Sequence, residues 1–165
     1  MKVVYHCYGS AHSSVTAAAI HLGLLPRDRY PTRAELLAVP RFDRTLTREL
    51  GTPFFLGRDG AGRDVYALGR GPAARLVVNC LESLVEITGA SPVEVVLINA
   101  LPTASLITTI GGTLSRSLGL IWPGRPLALW GVRRCYPRFV RLVEQTERLL
   151  ALMEEKEERL TPTPK

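Results

Sequence analysis

Three cysteines among 165 residues, Cys7, Cys80 and Cys135, make an odd count at unrelated spacings, and none belongs to a CxxC pair. This excludes a disulfide framework or a zinc ribbon as the source of stability, and it suits a reducing interior. Lysine is as scarce as cysteine, at three residues against eighteen arginines, and aromatic residues make up only 7% of the chain. The arginines are scattered, with no basic arm and no interleaved aromatics, so nucleic acid is not the expected partner. The N-terminus lacks an unbroken apolar segment, because Lys2 is soon followed by Tyr5, His6 and a polar loop. No secretory signal is read there, and the cytoplasm is the expected location. Charge is absent from Val95 to Ser115, yet Asn99, Pro102, Gly111, Gly112 and repeated Thr and Ser lower the hydrophobicity of that run. It divides into a strand, a turn and a helix, so no membrane span is expected.

What is present is an ordinary globular composition, 46% hydrophobic and 22% charged, in a chain long enough to close one core. A single domain over residues 1–160 is expected, with Thr161 to Lys165 as a tail that has no means to pack. The net charge of +6 favours anionic partners.

Periodicity sets strands and helices in alternation. Lys2 to Tyr5 is a β-type run that leads through His6-Cys7-Tyr8-Gly9-Ser10-Ala11-His12-Ser13-Ser14 into a helix starting at Val15. Thr32-Arg33-Ala34-Glu35 has the form of a capping box and starts a short helix. Two β-type runs, Phe54 to Leu56 and Val65 to Leu68, flank an Asp59-Gly60 turn and read as a hairpin. The glycine-rich turn is not a nucleotide loop, since an extended run follows where a helix would be needed. From Pro72 to Thr88 apolar residues recur at helical spacing, with Cys80 on their face and expected in the core. Val93 to Ile98 is the clearest strand, and its continuous hydrophobicity is that of a parallel sheet. A helix over Ala104 to Leu118, a short buried strand over Pro126 to Gly131 and a final helix opened by Pro137 complete the series. No internal repeat is present. The fold class is α/β, a single three-layer domain with a mainly parallel central sheet and an inserted β-hairpin.

In such a sheet, ligands bind beyond the carboxyl ends of the strands. Three loops are expected at that edge: Cys7 to Ser14, Asn99 to Thr103, and Arg133-Arg134-Cys135. A strand turning through Gly and Ser into a helix aims unpaired backbone N–H groups at one point, which attracts an anion. The backbone of Gly9 and Ser10 and the hydroxyls of Ser13 and Ser14 are candidate ligand groups, with Asn99 and the forks of Arg133 or Arg134. A plainer role for Ser13 or Ser14 is to cap the helix. Cys7 lies at a helix N-terminus and is a candidate nucleophile, with His12 as its catalytic partner. Cys7 can equally be a small residue that finishes a buried strand. His6, His12, Cys7 and Cys135 do not form a recognised metal-ligand spacing, and His21 lies inside the helix in a structural position. A redox pair of Cys7 and Cys135 requires the two to approach closely in the fold.

Cys7-Tyr8-Gly9-Ser10-Ala11-His12-Ser13-Ser14 resembles the loop of low-molecular-weight protein tyrosine phosphatases and arsenate reductases. Their pattern is Cys, five residues, Arg, Ser after the first strand. The resemblance covers about the first twenty residues and implies a nucleophile at Cys7. Ser13 stands where that family has its phosphate-clamping arginine, and no matching Asp-Pro general-acid motif follows. Losing that charge removes transition-state stabilisation, so phosphate binding survives the comparison better than phosphatase activity. Over most of its length the chain resembles an uncharacterised bacterial family, domain of unknown function 3189. The residues that carry this are Tyr5-His6-Cys7-Tyr8-Gly9, His12-Ser13-Ser14-Val15, His21-Leu22-Gly23, Ile110-Gly111-Gly112, Leu114-Ser115-Arg116, Leu118-Gly119-Leu120 and Gly124-Arg125-Pro126. That resemblance implies relatives of similar build and brings no activity.

The expected function is binding of a phosphate-containing small molecule or anion at the first loop, with Cys-dependent phosphoryl or thiol chemistry as its extension. The alternative is a non-enzymatic regulatory or interaction module docking through the Ala104–Leu118 helix or the final helix. Homo-oligomerisation stays open, and no cofactor is named.

Overall fold

Strand β1 (Lys2–Cys7) is buried at every residue after Lys2, so both of its faces are covered. In the computed structural model, which describes residues 1–91, 93–104, 108, 114 and 121–160, β1 lies inside a four-stranded sheet of order β2-β3-β1-β4. β1 runs parallel to β3 (Asp64–Gly69) and to β4 (Val95–Asn99), while β2 (Pro53–Arg58) pairs antiparallel with β3 as a hairpin. The expected α/β class, mainly parallel sheet and inserted hairpin are all present.

Helix α1 (Ser13–His21) has no solvent-facing side: all nine of its residues are buried. Ala17, Ala18 and Ala19 keep it thin, so the sheet and a long helix, α4 (Ile121–Leu160), can both close on it. Helix α2 (Arg33–Ala38) begins with the expected capping box, Thr32 Oγ1 accepting from the Glu35 N–H at 3.2 Å and Glu35 Oε2 from the Thr32 N–H at 2.7 Å. Arg29, bidentate on Glu35, and the Thr32 bonds hold that carboxyl down at about 2. Helix α3 (Ala74–Ile87) stops at Gly89, whose φ of +68° suits glycine.

Three expectations differ from this architecture. Pro126 to Gly131 is helical, not a strand, and Pro137 lies inside α4 instead of opening it. The buried positions Ala128, Leu129, Val132, Cys135, Tyr136, Phe139, Val143 and Leu150 follow one helical period straight across Pro137. A six-residue apolar run cannot by itself separate a strand from a buried helix segment, and the two prolines conceal the longer period. The helix also needs Gly131, where a Cβ would lie 2.5 Å from Thr108 Oγ1. Finally, Cys80 is exposed, because α3 contains no fully buried residue. The helix expected over Ala104 to Leu118 and the tail from Thr161 fall outside the described residues. Among those residues, no helix is long and apolar enough to cross a membrane.

The C-terminal end of α1 is tied to the hairpin through polar groups. His21 Nδ1 lies 2.8 Å from Tyr5 Oη and its Nε2 lies 2.9 Å from Asp59 Oδ2. A neutral ring that donates from Nε2 and accepts at Nδ1 satisfies both contacts. Burial pushes the Tyr5 phenol well above its usual range. Burial would raise the Asp59 carboxyl too, but His21, the Arg63 and Ala61 N–H groups and the Arg63 charge outweigh it and hold it low. Outside this network, Tyr136 Oη donates to Pro26 O at 2.6 Å, and Arg27 and Arg63 fork onto Glu147 and Glu154 of α4.

Replacing His21 by Leu strands the Tyr5 hydroxyl and the Asp59 carboxylate in a buried setting. We expect a loss of about 2–4 kcal/mol in urea unfolding. Leu24→Ala, at an exposed site just beyond α1, serves as the control within about 0.5 kcal/mol of wild type.

Candidate functional site

The parallel register brings three strand ends together. Cys7 pairs with Gly69 and His6 with Asn99. Beyond them the Arg70 N–H donates to Cys7 O at 3.0 Å, the Gly71 N–H to Tyr8 O at 2.8 Å and the Ala100 N–H to His6 O at 2.9 Å. The loop leaving β1 therefore lies against the segment that follows β3. A Cβ on Gly69 would sit 2.9 Å from the Gly9 carbonyl carbon and 3.0 Å from Ser10 N, so only glycine permits this approach.

Inside the loop, Ser10 adopts a positive φ of 50° and its N–H donates to Cys7 Sγ at 3.3 Å. Ser14 Oγ lies 3.1 Å from the same sulfur. The Ser14 hydroxyl is thus directed to Cys7, and neither serine caps the helix. His12 occupies the N-cap position without a side-chain capping bond, which leaves the first turn of α1 with no side-chain acceptor. Cys7, Ser10, His12, Ser13 and Ser14 are all buried, Gly9 is half-buried and Tyr8 is exposed.

A second segment closes over the loop. Asp43, 1% exposed, places Oδ1 3.3 Å from His12 Nε2, accepts from Arg125 Nε at Oδ2 (2.5 Å) and donates its N–H to Ala11 O at 2.9 Å. Thr45 Oγ1 donates to Ser10 O at 2.7 Å. Positive φ values at Arg41 and Asp43 fold this segment tightly enough to reach the loop. The His12 ring also meets Phe42 edge-on, with ring centroids 5.3 Å apart. Cys7, His12 and Asp43 therefore share one neighbourhood, in which the Asp43 carboxylate faces the imidazole.

Of the other expected residues, Asn99 does lie at the edge, its Oδ1 accepting from Arg70 Nη2 at 3.0 Å and the Leu101 N–H at 3.1 Å. Arg133 and Arg134 do not follow a strand. They are exposed on α4, with the Arg134 guanidinium 5.5 Å from the Trp130 ring centre. Among the described residues, Arg70, Asp43 and Arg125 bring charge near the loop, and sequence reasoning named none of them as a site residue. Arg70 was reachable, because it directly follows the strand that pairs in parallel with β1. Asp43 and Arg125 carry no such signal, since one lies in an irregular turn and the other early in a helix read as loop and strand.

Four buried side-chain atoms at this end make no hydrogen bond: His6 Nδ1, Ser10 Oγ, Thr16 Oγ1 and His12 Nε2, the last of which has only the Asp43 carboxylate facing it at 3.3 Å. Burial, aided by the Arg70 charge, lowers the His6 pKa to about 4, so its ring is neutral at neutral pH. All three cysteines are free thiols, and among the described residues no group of three or more His, Cys, Asp or Glu gathers as a metal site. An open cavity of about 320 Å³, lined by Arg27, Tyr30, Tyr136 and Arg141 among others, shares no residue with the loop.

A model of a family described as proteins of unknown function, DUF3189, matches residues 2–148, and the chain belongs to that family. Neither the curated proteins nor the solved structures contain a match to it.

The His6 shift sets a pH dependence. The unfolded imidazole binds its proton near pH 6.5 and the folded one only near 4. Its contribution is therefore neutral above pH 6.5 and turns against the fold as pH drops through 6.5 towards 4. The loss is on the order of 2 kcal/mol after allowance for solvent screening. Unfolding free energies measured across this window are expected to fall less steeply in His6→Gln than in the wild type.

Proposed function

We propose that the chain binds a phosphate-containing small molecule or anion at the Gly9–Ser14 loop, and that Cys7 and His12 make that site capable of phosphoryl chemistry. The observation that carries this reading is the fully buried Ser10 hydroxyl, left without a partner beside a helix N-terminus that no side chain caps. An unsatisfied buried hydroxyl costs about 1–3 kcal/mol, and an anion accepting from it and from the α1 N–H groups would remove that cost. Ser13 and Ser14 sit in the first turn, where an anion would meet their N–H groups. Arg70 and Asn99 lie at the neighbouring strand ends. Arg70 has no carboxylate partner among the described residues, so its charge is available to replace the arginine absent at position 13.

For the chemical step, the Cys7 sulfur would attack phosphorus and displace the leaving oxygen, giving a thiophosphate ester that water then hydrolyses. His12, faced by Asp43, would transfer the protons. The cytoplasm of a bacterium is the setting that composition and family resemblance favour for such a protein.

Thermal shift in inorganic phosphate against chloride at equal ionic strength tests the binding claim. Stabilisation of about 2.7 kcal/mol is expected at a hundredfold excess over Kd, lost in Ser10→Ala and weakened in Arg70→Ala. The same response to chloride would overturn it. For the catalytic extension, Cys7→Ser is expected to abolish turnover of p-nitrophenyl phosphate while retaining the phosphate-induced shift.

A further inference from the structure

Helix α4 packs on α1 with one side, and its opposite side carries a row of arginines. Arg134, Arg138, Arg141 and Arg148 follow the spacing i, i+4, i+7, i+14, with Gln145 at i+11, so they share one ridge. At 3.6 residues per turn that ridge lies about 160° round the helix from the mean direction of the buried positions between Ala128 and Leu150. Scattered in the sequence, these arginines are gathered by the helix. All four are exposed, as is Arg133 on their flank, and none of the five makes an ion pair with a described residue. Residues 121–150 hold six arginines against two glutamates, which accounts for four of the chain's six net positive charges. Neither glutamate neutralises the ridge: Glu147 is gripped by Arg27, and Glu144 projects about 80° to one side.

Two exposed aromatic rings accompany this charge. Trp130, four residues before Arg134 on the same ridge, is 51% exposed, with the Arg134 guanidinium near its ring face. Tyr30, 54% exposed, walls the open cavity of about 320 Å³ that Arg141 also lines. Two carboxylates, Asp28 and Glu144, face the same cavity. They repel a phosphate, whereas a nucleobase offers them N–H donors and offers Tyr30 its ring face.

We infer that this face of α4 binds single-stranded nucleic acid, with phosphates along the ridge from Arg134 to Arg148 and bases against Trp130 and in the Tyr30 cavity. Arginine suits both tasks, since its planar fork grips phosphate and its flat face stacks on a base. From Trp130 to Arg148 the ridge is about 27 Å long, so it matches an oligonucleotide and not a single nucleotide. The acidic stretch that begins at Glu154 bounds it at the far end. A duplex fits less well, because its paired bases are not free to enter the cavity. An anionic membrane fits less well too, because the ridge has no apolar residue to insert between Trp130 and Leu152. No residue of this face belongs to the Gly9–Ser14 loop.

Fluorescence anisotropy of labelled oligo(U) and oligo(dT), each about twelve nucleotides long, tests the inference on the full chain. Saturable binding is expected, with a Kd of about 1–100 μM at physiological salt and an affinity that falls as salt rises. Arg138→Gln combined with Arg141→Gln should weaken binding at least tenfold and make the plot of log Kd against log salt shallower by about 1.4. Lys2→Gln combined with Arg75→Gln removes the same charge from exposed sites on β1 and α3, and should weaken binding no more than twofold. Trp130→Ala should cost about tenfold in affinity and leave the salt slope unchanged. Circular dichroism checks the fold of each variant. Ser10→Ala, which removes the phosphate response proposed for the loop, should bind oligonucleotide as the wild type does, so the two readings fail separately. Absence of saturable binding at low salt overturns the proposal, as does equal weakening by the ridge pair and the control pair. Tighter binding of a duplex of the same length, or capture by phosphatidylglycerol vesicles without capture of either oligonucleotide, overturns it as well.

Discussion

A helix buried on every side imposes conditions on everything around it, and α1 is such a helix. Its side chains must be small where the sheet and α4 approach together, a condition met by Ala17, Ala18 and Ala19 at zero exposure. Its two ends cannot rely on bulk water to satisfy their polar groups. The hairpin turn reaches one end and the Arg41–Thr45 segment the other, and α4 closes the remaining side through Phe139, Val143 and Leu150. The position of the candidate site follows from this arrangement, since it lies where the buried helix begins.

The two ends meet the condition differently. At the C-terminal end, Tyr5, His21, Asp59 and Arg63 form a closed set in which each polar side chain finds a partner. At the N-terminal end, Ser10 Oγ, Thr16 Oγ1, His6 Nδ1 and His12 Nε2 make no hydrogen bond, although the same fold supplied partners in full at the other end of the helix. Burial without a partner carries the same cost at either end. At the N-terminal end that cost stands beside a thiol, an imidazole and a carboxylate, and the proposed anion would supply the missing contacts. The local glycine points the same way: Gly69 brings β3 close enough to fix the loop backbone, a rigidity that anion recognition through N–H groups requires.

Local signals in the sequence were read correctly where short-range chemistry determines structure. The first strand and loop, the Thr32 capping box, the Asp59-Gly60 hairpin and the strand through Ile98 all depend on residues within a few positions of one another, although that last strand lies at the sheet edge and buries only Val96 fully. Failures came where a tertiary partner decides. Pro126 to Gly131 has the composition of a buried strand, and its helical period emerges only when the chain is followed past Pro137 to Leu150. Cys80 lies on a face apolar enough for a core, yet nothing in the helix itself states that a core is there to receive it. The cysteine, serines and histidine of the candidate site were legible because they are consecutive. Asp43, Arg70 and Arg125 were not, because they come from three other segments of the chain, joined only by the fold.

The arginine excess has a physical explanation that bears on function. Eighteen arginines against three lysines suggest a surface built to attract anions, but many of the forks are already engaged. Arg27, Arg29 and Arg63 each grip a carboxylate through two nitrogens, and Arg41, Arg58 and Arg125 each pair with one. Planar, bidentate geometry is what lysine cannot supply, so arginine here ties distant segments to one another. The net charge of +6 is therefore a poor guide to where an anion would bind. The informative arginine is Arg70, whose hydrogen bond goes to the neutral Asn99 amide and which has no carboxylate partner among the described residues. One charge without a carboxylate partner near uncapped N–H groups attracts an anion more strongly than many neutralised ones spread over the surface.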